Sequence, residues 1–225
     1  MMRSVPLRIG FDMDGVLADF AAAYHEIEAR LFGPIPPSPA DDPEDETIEL
    51  PAAGEIRRRN NGVWDVIRAT PDFWTTLRPM DPTAVPRIHA MMMRHGWEVF
   101  FITQRPATEG DTVQRQTQRW LVEQGFDLPS VLVIPGSRGA AAAALRLDYH
   151  VDDSPTNCVD VKSESTAKTI LIVPDGDETT IANARKLRIA SARSIGDALD
   201  ILEQATRAHL HPTLLGRIAA LVGWS

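Results

Sequence analysis

Short runs of apolar residues, each closed by polar or turn-forming positions, recur along this 225-residue chain, with amphipathic stretches between them. The first run, 5–11, reads as a buried strand ending at Asp12-Met13-Asp14-Gly15. Residues 19–32 read as a helix, with Asp19 as N-cap and Gly33-Pro34 as the stop. Residues 33–51 break the pattern. They are rich in proline and in acid (Asp41, Asp42, Glu44, Asp45, Glu46, Glu49) and poor in large apolar side chains, the mark of a loop or extended surface segment. Amphipathic spacing returns over 52–77 through Ile56, Val63, Trp64, Ile67, Phe73, Trp74 and Leu77, predicting one or two short helices. Beyond Asp81 the alternation is regular. Helices are predicted over 82–95, 109–124, 137–147 and 195–205, and strands over 98–102, 131–134, 149–151, 169–173 and 189–193. Strands alternating with helices of about 10 to 15 residues mean βαβ units, hence a Rossmann-like three-layer α/β/α fold around a parallel sheet. The stretch 20–78 is too long for a crossover and reads as an inserted small helical cap, leaving 1–19 and 79–225 as the α/β core. No internal repeat is present.

Composition narrows the function. At 44% hydrophobic and 24% charged residues the chain is an ordinary soluble globular protein. Its length suits one sizeable core plus a small appendage, at roughly 150 residues per domain. A net charge of −8 argues against a nonspecific nucleic-acid polymer binder and against an anionic-membrane binder, both of which need a basic face. An anionic substrate would need a local cation to overcome that repulsion. The single cysteine, Cys158, has no internal disulfide partner, which points to a reducing compartment. Pro6, Asp12 and Asp14 interrupt the N-terminal apolar run, so no export signal is expected, and no stretch of about 18 apolar residues predicts a membrane span. A cytoplasmic protein is the expectation.

In an open parallel sheet, ligands bind beyond the carboxyl ends of the strands. One predicted strand delivers Asp12 and Asp14 there, a second delivers Thr103 followed by Gln104 and Arg105, and a third delivers Asp152 and Asp153. Alone, the Asp-x-Asp-Gly turn could be an acidic turn in which Gly15 supplies a positive φ. Carboxylates converging from separate strands repel one another unless a cation neutralises them, and an all-oxygen set suits Mg²⁺. Arg105 could assist an anion or pair with an acidic neighbour. Elsewhere the bland readings prevail. Met91, Met92 and Met93 lie in a helix with two of the three facing the core, His209 and His211 lack partners at metal spacing, and Cys158 lacks a paired base. The amphipathic stretch 212–222 could pack on the body or form a homodimer contact.

Three elements, Asp12-Met13-Asp14-Gly15-Val16, Ile102-Thr103-Gln104-Arg105-Pro106 and Val151-Asp152-Asp153, resemble motifs I, II and IV of the haloacid dehalogenase-like (HAD) hydrolases, in that family's order and over most of residues 5–160. The insert is placed like a C1 cap. Pro71-Asp72-Phe73-Trp74 and the run from Val151 through Asn157 are most similar to the 5′(3′)-deoxyribonucleotidase group. The resemblance implies a Mg²⁺-dependent phosphatase in which Asp12 is the nucleophile, forming an aspartyl-phosphate, and Asp14 the general acid and base. It implies Mg²⁺ held by the Asp12 carboxylate, the Asp14 main-chain carbonyl and Asp152, with Asp153 beside them and Thr103 on a phosphoryl oxygen. It also implies that Phe73 and Trp74, with Trp64, stack on a nucleobase, the competing reading being that they anchor the cap's own core. One departure stands out: where the family has a motif III lysine, the matching helix start is Gly136-Ser137-Arg138-Gly139, which puts Arg138 at a helix N-terminus facing the same edge. The competing reading is that Arg138 is an exposed helix residue and the site is impaired. The implied substrate is a nucleoside monophosphate; the alternatives are another small phosphorylated metabolite and a non-catalytic binding protein of the same fold.

Overall fold

The computed structural model describes residues 6–33, 53–173 and 177–210. The acidic segment 41–49 and the stretch 212–222 lie outside the described residues. Six strands form one parallel sheet: β1 (Arg8–Asp12), β2 (Glu98–Thr103), β3 (Val131–Val133), β4 (Tyr149–Asp152), β5 (Lys168–Ile172) and β6 (Ala190–Ala192). Their order is β3-β2-β1-β4-β5-β6. The order reverses between β1 and β4, which makes that gap the crevice where such sheets take ligands. Register fixes what flanks it: Phe11 pairs with Val151 and Asp12 with Ile102, so Asp12 and Asp152 end adjacent strands side by side.

The helices among the described residues are α1 (Phe20–Phe32), α2 (Ala53–Ala69), α3 (Ala84–His95), α4 (Val113–Glu123), α5 (Arg138–Leu145), α6 (Pro155–Glu164), α7 (Glu178–Lys186) and α8 (Ile195–Leu210). A single 3-10 turn, Phe73–Thr75, sits between α2 and α3. The predicted α/β order holds, with shifts at the ends. The helix expected over 109–124 begins at Val113, because Thr112 is its N-cap and accepts from the Arg115 amide. Two helices were not predicted. α6 starts at Pro155 behind the cap Ser154, and α7 behind the cap Asp177, but the first buries only Cys158 and Val161 and the second only Ala184. So few buried positions leave hardly any helical period to read.

The central strands are apolar on both faces, as a sheet covered on two sides requires. Phe11, Phe101 and Phe126 pack in its core, the last two edge to face at 4.9 Å. The predicted insert carries α1 and α2, and its Ile27, Val63, Ile67, Phe73 and Trp74 join the same buried cluster as Ile9 and Phe101. Among the described residues no helix is long and apolar enough to cross a membrane.

Candidate active site

Four chain segments meet at the β1/β4 crevice. β1 ends in Asp12, which is 5% exposed, and Gly15 turns the chain away with φ 80°. α5 begins with Arg138, 6% exposed, whose Nη2 donates to Asp12 Oδ1 at 2.6 Å. The bland reading of Arg138 as a surface residue is therefore overturned. Its helix start is held from outside: Ser137 caps the Ala140 amide, and Asp160 of α6 accepts from the Gly139 amide at 2.9 Å and the Ser137 hydroxyl at 2.8 Å. Close approach at this point requires glycine, since a Cβ on Gly139 would lie 2.4 Å from the Asp160 carbonyl oxygen.

Arg138 is only partly satisfied. Its Nε lies 3.8 Å from Asp152 Oδ2, beyond hydrogen-bond reach, and Nε and Nη1 are both buried with no partner. Buried donors without acceptors are costly, so the free Nη1 marks a place where an anion's oxygen belongs.

Arg105, buried beneath the site, takes the second of its two sequence readings. It grips Asp14 in a fork, Nη2 to Oδ1 at 2.6 Å and Nε to Oδ2 at 2.9 Å, and donates through Nη1 to Thr117 Oγ1 at 3.0 Å. Its guanidinium also lies over the Trp74 ring, 4.8 Å from the centroid. Thr103 is buried at the end of β2. Gln104 is not brought to the crevice: its side chain is exposed and donates to the Pro135 carbonyl oxygen at 3.3 Å. Trp74 also departs from expectation. It is 1% exposed, packed against Arg105 and Phe20, with its indole N–H on the Pro106 carbonyl oxygen, so it has no free face for a base. Phe73 is buried too but edges a cavity of about 410 Å³ shared with Asp19, Arg30, Thr70, Thr76 and Arg78.

Asp152 is wholly buried and hydrogen-bonded at both oxygens. Oδ1 accepts from the Ser154 amide at 2.8 Å, Asn157 Nδ2 reaches both oxygens at 3.1 Å, and His150 Nε2 lies 3.0 Å from Oδ2. Asp153 belongs to an exposed residue, yet its carboxyl lies directly over Gly15; that desolvation, and then the charge of Asp152, push it up to about 6. Burial, followed by the charge of Asp152, holds Asp12 well above the ordinary carboxylate range, with Arg138 opposing. Negative charge thus exceeds what Arg138 alone balances around Asp12. The carboxylates of Asp12 and Asp152, at the ends of adjacent strands, are oxygen donors of the kind Mg²⁺ accepts, keeping several waters. Among the described residues no three His, Cys, Asp or Glu side chains gather as a complete metal cage. The Asp14 side chain is taken by Arg105 and that of Asp153 turns over Gly15, so two carboxylates are what the crevice offers.

Among solved structures, the chain is similar to a candidate β-phosphoglucomutase from Thermotoga maritima, at 18% identity and TM-score 0.54, over 88% of this chain and 99% of that one. It is similar also to a HAD family hydrolase from Deinococcus radiodurans R1 crystallised with phosphate and sodium, at 13% identity and TM-score 0.54, over 90% and 97%. The chain shares the fold of both structures. A hydrolase from Pseudomonas syringae shares it at 13% identity and TM-score 0.50, over 89% and 99%. No protein-family model and no curated protein sequence matches the chain. Within this fold the crevice residues His150, Asn157 and Asp160 were not singled out from sequence. Asn157 lies inside the Val151–Asn157 run but carries no role there, whereas for His150 the only signal was a polar residue in the middle of a strand expected to be apolar.

Proposed function

We propose that the chain is a phosphomonoester hydrolase working through a phosphorylated Asp12. The observation that carries this reading is the buried Arg138, bonded to Asp12 through one nitrogen and left with two unpartnered donors beside it. The free Nη1, next to the Nη2 that bonds Asp12, suits a phosphoryl oxygen, while Nε opens towards Asp152. Asp12 Oδ attacks phosphorus, the ester P–O bond breaks, and the leaving alkoxide takes a proton from the Asp14 carboxyl. Ionised Asp14 then withdraws a proton from water, which attacks phosphorus and releases phosphate and Asp12. Arg105 holds the Asp14 carboxyl in a fork, so its grip sets where Asp14 meets the leaving group and the water. A divalent cation such as Mg²⁺, held by Asp12, Asp152 and the Asp14 carbonyl, would supply charge compensation on the transferring group. Asp153, next to Asp152, would tune this centre, and Thr103, at the end of β2, would take a phosphoryl oxygen.

We infer a nucleoside monophosphate as the substrate and α1 with α2 as the cap over it. Support comes from the resemblance of the Phe73 segment and from the cavity Phe73 edges, where Arg30 and Arg78 offer donors, and the Thr70 and Thr76 hydroxyl oxygens acceptors, to a base and sugar. Trp74 takes no part in that recognition. The test is phosphate release across a panel of nucleoside monophosphates and small sugar phosphates, with Mg²⁺ and with EDTA. Selective, EDTA-sensitive turnover that disappears in Asp12→Asn is expected. Turnover confined to non-nucleotide esters would move the substrate class, and no turnover with an Asp12-independent response to beryllofluoride would leave a binding protein.

A further inference from the structure

One buried titratable side chain at the crevice has no part in that chemistry. His150 is fully buried in the middle of β4, a strand otherwise filled by Tyr149, Val151 and Asp152. Side chains alternate along a strand, so His150 and Asp152 stand on one face. His150 Nε2 lies 3.0 Å from Asp152 Oδ2. A carboxylate accepts, so this bond puts a ring proton on Nε2. Nδ1 has no partner. It faces Gly10, its register partner on β1, where a Cβ would come within 2.8 Å of Nδ1 and 2.7 Å of Leu147 Cδ1. Glycine on the central strand therefore makes room for an imidazole that leaves one of its own nitrogens orphaned. An apolar residue would fill this position without that penalty. Folding does not explain the histidine; its bond to Asp152 does.

We propose that His150 is a positioning residue that sets the orientation of the Asp152 carboxylate, and through it the affinity of the crevice for a divalent cation. Asp152 Oδ2 is the oxygen nearest Arg138 Nε, at 3.8 Å, so the bond from His150 fixes the atom that faces the Asp12–Arg138 pair. The Ser154 amide holds Oδ1 and Asn157 Nδ2 spans both oxygens at 3.1 Å, so His150 is the second donor on Oδ2, at the shorter distance of 3.0 Å, and completes the hold that stops the carboxylate turning. Outer partners of this kind raise the basicity of a ligand and keep it aimed, and their loss typically weakens metal binding about 10- to 100-fold. The inference rests on the cation site of the proposed hydrolase.

The test uses the purified full chain and Mn²⁺ alone, titrated with detection of free ion by electron paramagnetic resonance, so that no turnover is needed. His150→Phe is expected to bind Mn²⁺ about 10- to 100-fold more weakly than the parent while melting at or above its temperature. His150→Gln, whose amide nitrogen can take the place of Nε2, is expected to recover most of the affinity, and the shorter His150→Asn is not. If His150→Phe fails to fold, the Gln and Asn pair decides by itself. Parent-like affinity in folded His150→Phe, Gln no better than Asn, or a parent chain that binds no Mn²⁺ would each overturn the proposal. Phosphate release by the parent chain separates the two ideas. Hydrolysis with affinities unchanged across the series sinks only the role of His150, and an intact affinity series in a chain inert towards esters sinks only the hydrolase reading.

Discussion

A guanidinium placed where the resembling motif has an ammonium changes what can be asked of one residue. Arg138 spends one nitrogen on Asp12 and keeps Nη1 for a ligand, a division that lysine, with a single head atom, cannot reproduce in the same plane. Arg138→Lys is therefore expected to keep the Asp12 pairing but lower kcat/KM by about 10- to 100-fold, one charged hydrogen bond's worth, with the inhibition constant for inorganic phosphate rising in parallel. Arg105 makes the complementary case, since it touches Asp14 and not the anion's place. Arg105→Gln should lower kcat by at least about tenfold and leave KM nearly unchanged, because Asp14 loses its anchor while the phosphate donors stay. Steady-state kinetics on both variants separates the two roles. The residue types at these positions were legible from the strand-end rule, but their partners were not. That rule says which edge a side chain reaches and is silent on where a long side chain turns, so Arg105 and Trp74 each kept two readings until the packing was seen. An indole sandwiched by a cation and a phenyl ring is a product of tertiary packing, visible only once α4 and the 3-10 turn are placed.

At the scale of elements, the crevice depends on how α5 meets α6. Asp160, the Ser137 cap and the closeness allowed by Gly139 together hold the first turn of α5, and with it Arg138. Asp160→Ala removes acceptors for two donors of that turn and should cost about 1 kcal/mol, read as a fall in Tm of roughly 2–4 °C for a chain of this size. Activity should fall with it, since the displaced turn carries the phosphate donors. Gly139→Ala drives a Cβ onto the Asp160 carbonyl and should be the more damaging of the two in a thermal melt. α5 was legible from its Ser137 cap and its alanines. α6 was not, because the signal that identified Asp152 and Asp153 ended where the helix began and its apolar side offers only Cys158 and Val161. The parallel sheet was legible because each strand is a run of apolar residues flanked by turns, whereas β6 exposes two of its three residues. That Asp12 and Asp152 flank the point where the sheet order reverses could be named only once the strands were in register.

Across the whole molecule, carboxyl groups are perturbed in opposite directions, and this sets the acid response. Asp160 is held below its usual value of 3.8 by the Gly139 amide and the Ser137 hydroxyl, Asp72 by the Asp111 amide and Arg119, and Asp177 by its bonds to Thr180. A depressed native value means stability present above 3.8 and lost as pH falls through that lower value. Asp153, raised from 3.8 to about 6, works the other way: its ionisation disfavours the native state, so stability is regained as pH falls through about 6 and the gain is complete near 3.8. Buried Asp12 adds in the same sense. The EDTA-treated protein should therefore melt higher at about pH 4.5 than at about pH 7.5, and lower again below about pH 3.5. Asp153→Asn should flatten the upper part of that curve and leave the acid limb in place. Saturating Mg²⁺ should raise Tm most at neutral pH, where the cluster is most ionised, and so reverse the slope between about pH 7.5 and about pH 4.5. Differential scanning fluorimetry over this range, with EDTA and with Mg²⁺, reads all three curves. A slope that Mg²⁺ leaves unchanged would mean that the excess charge around Asp12 is not there to hold a cation.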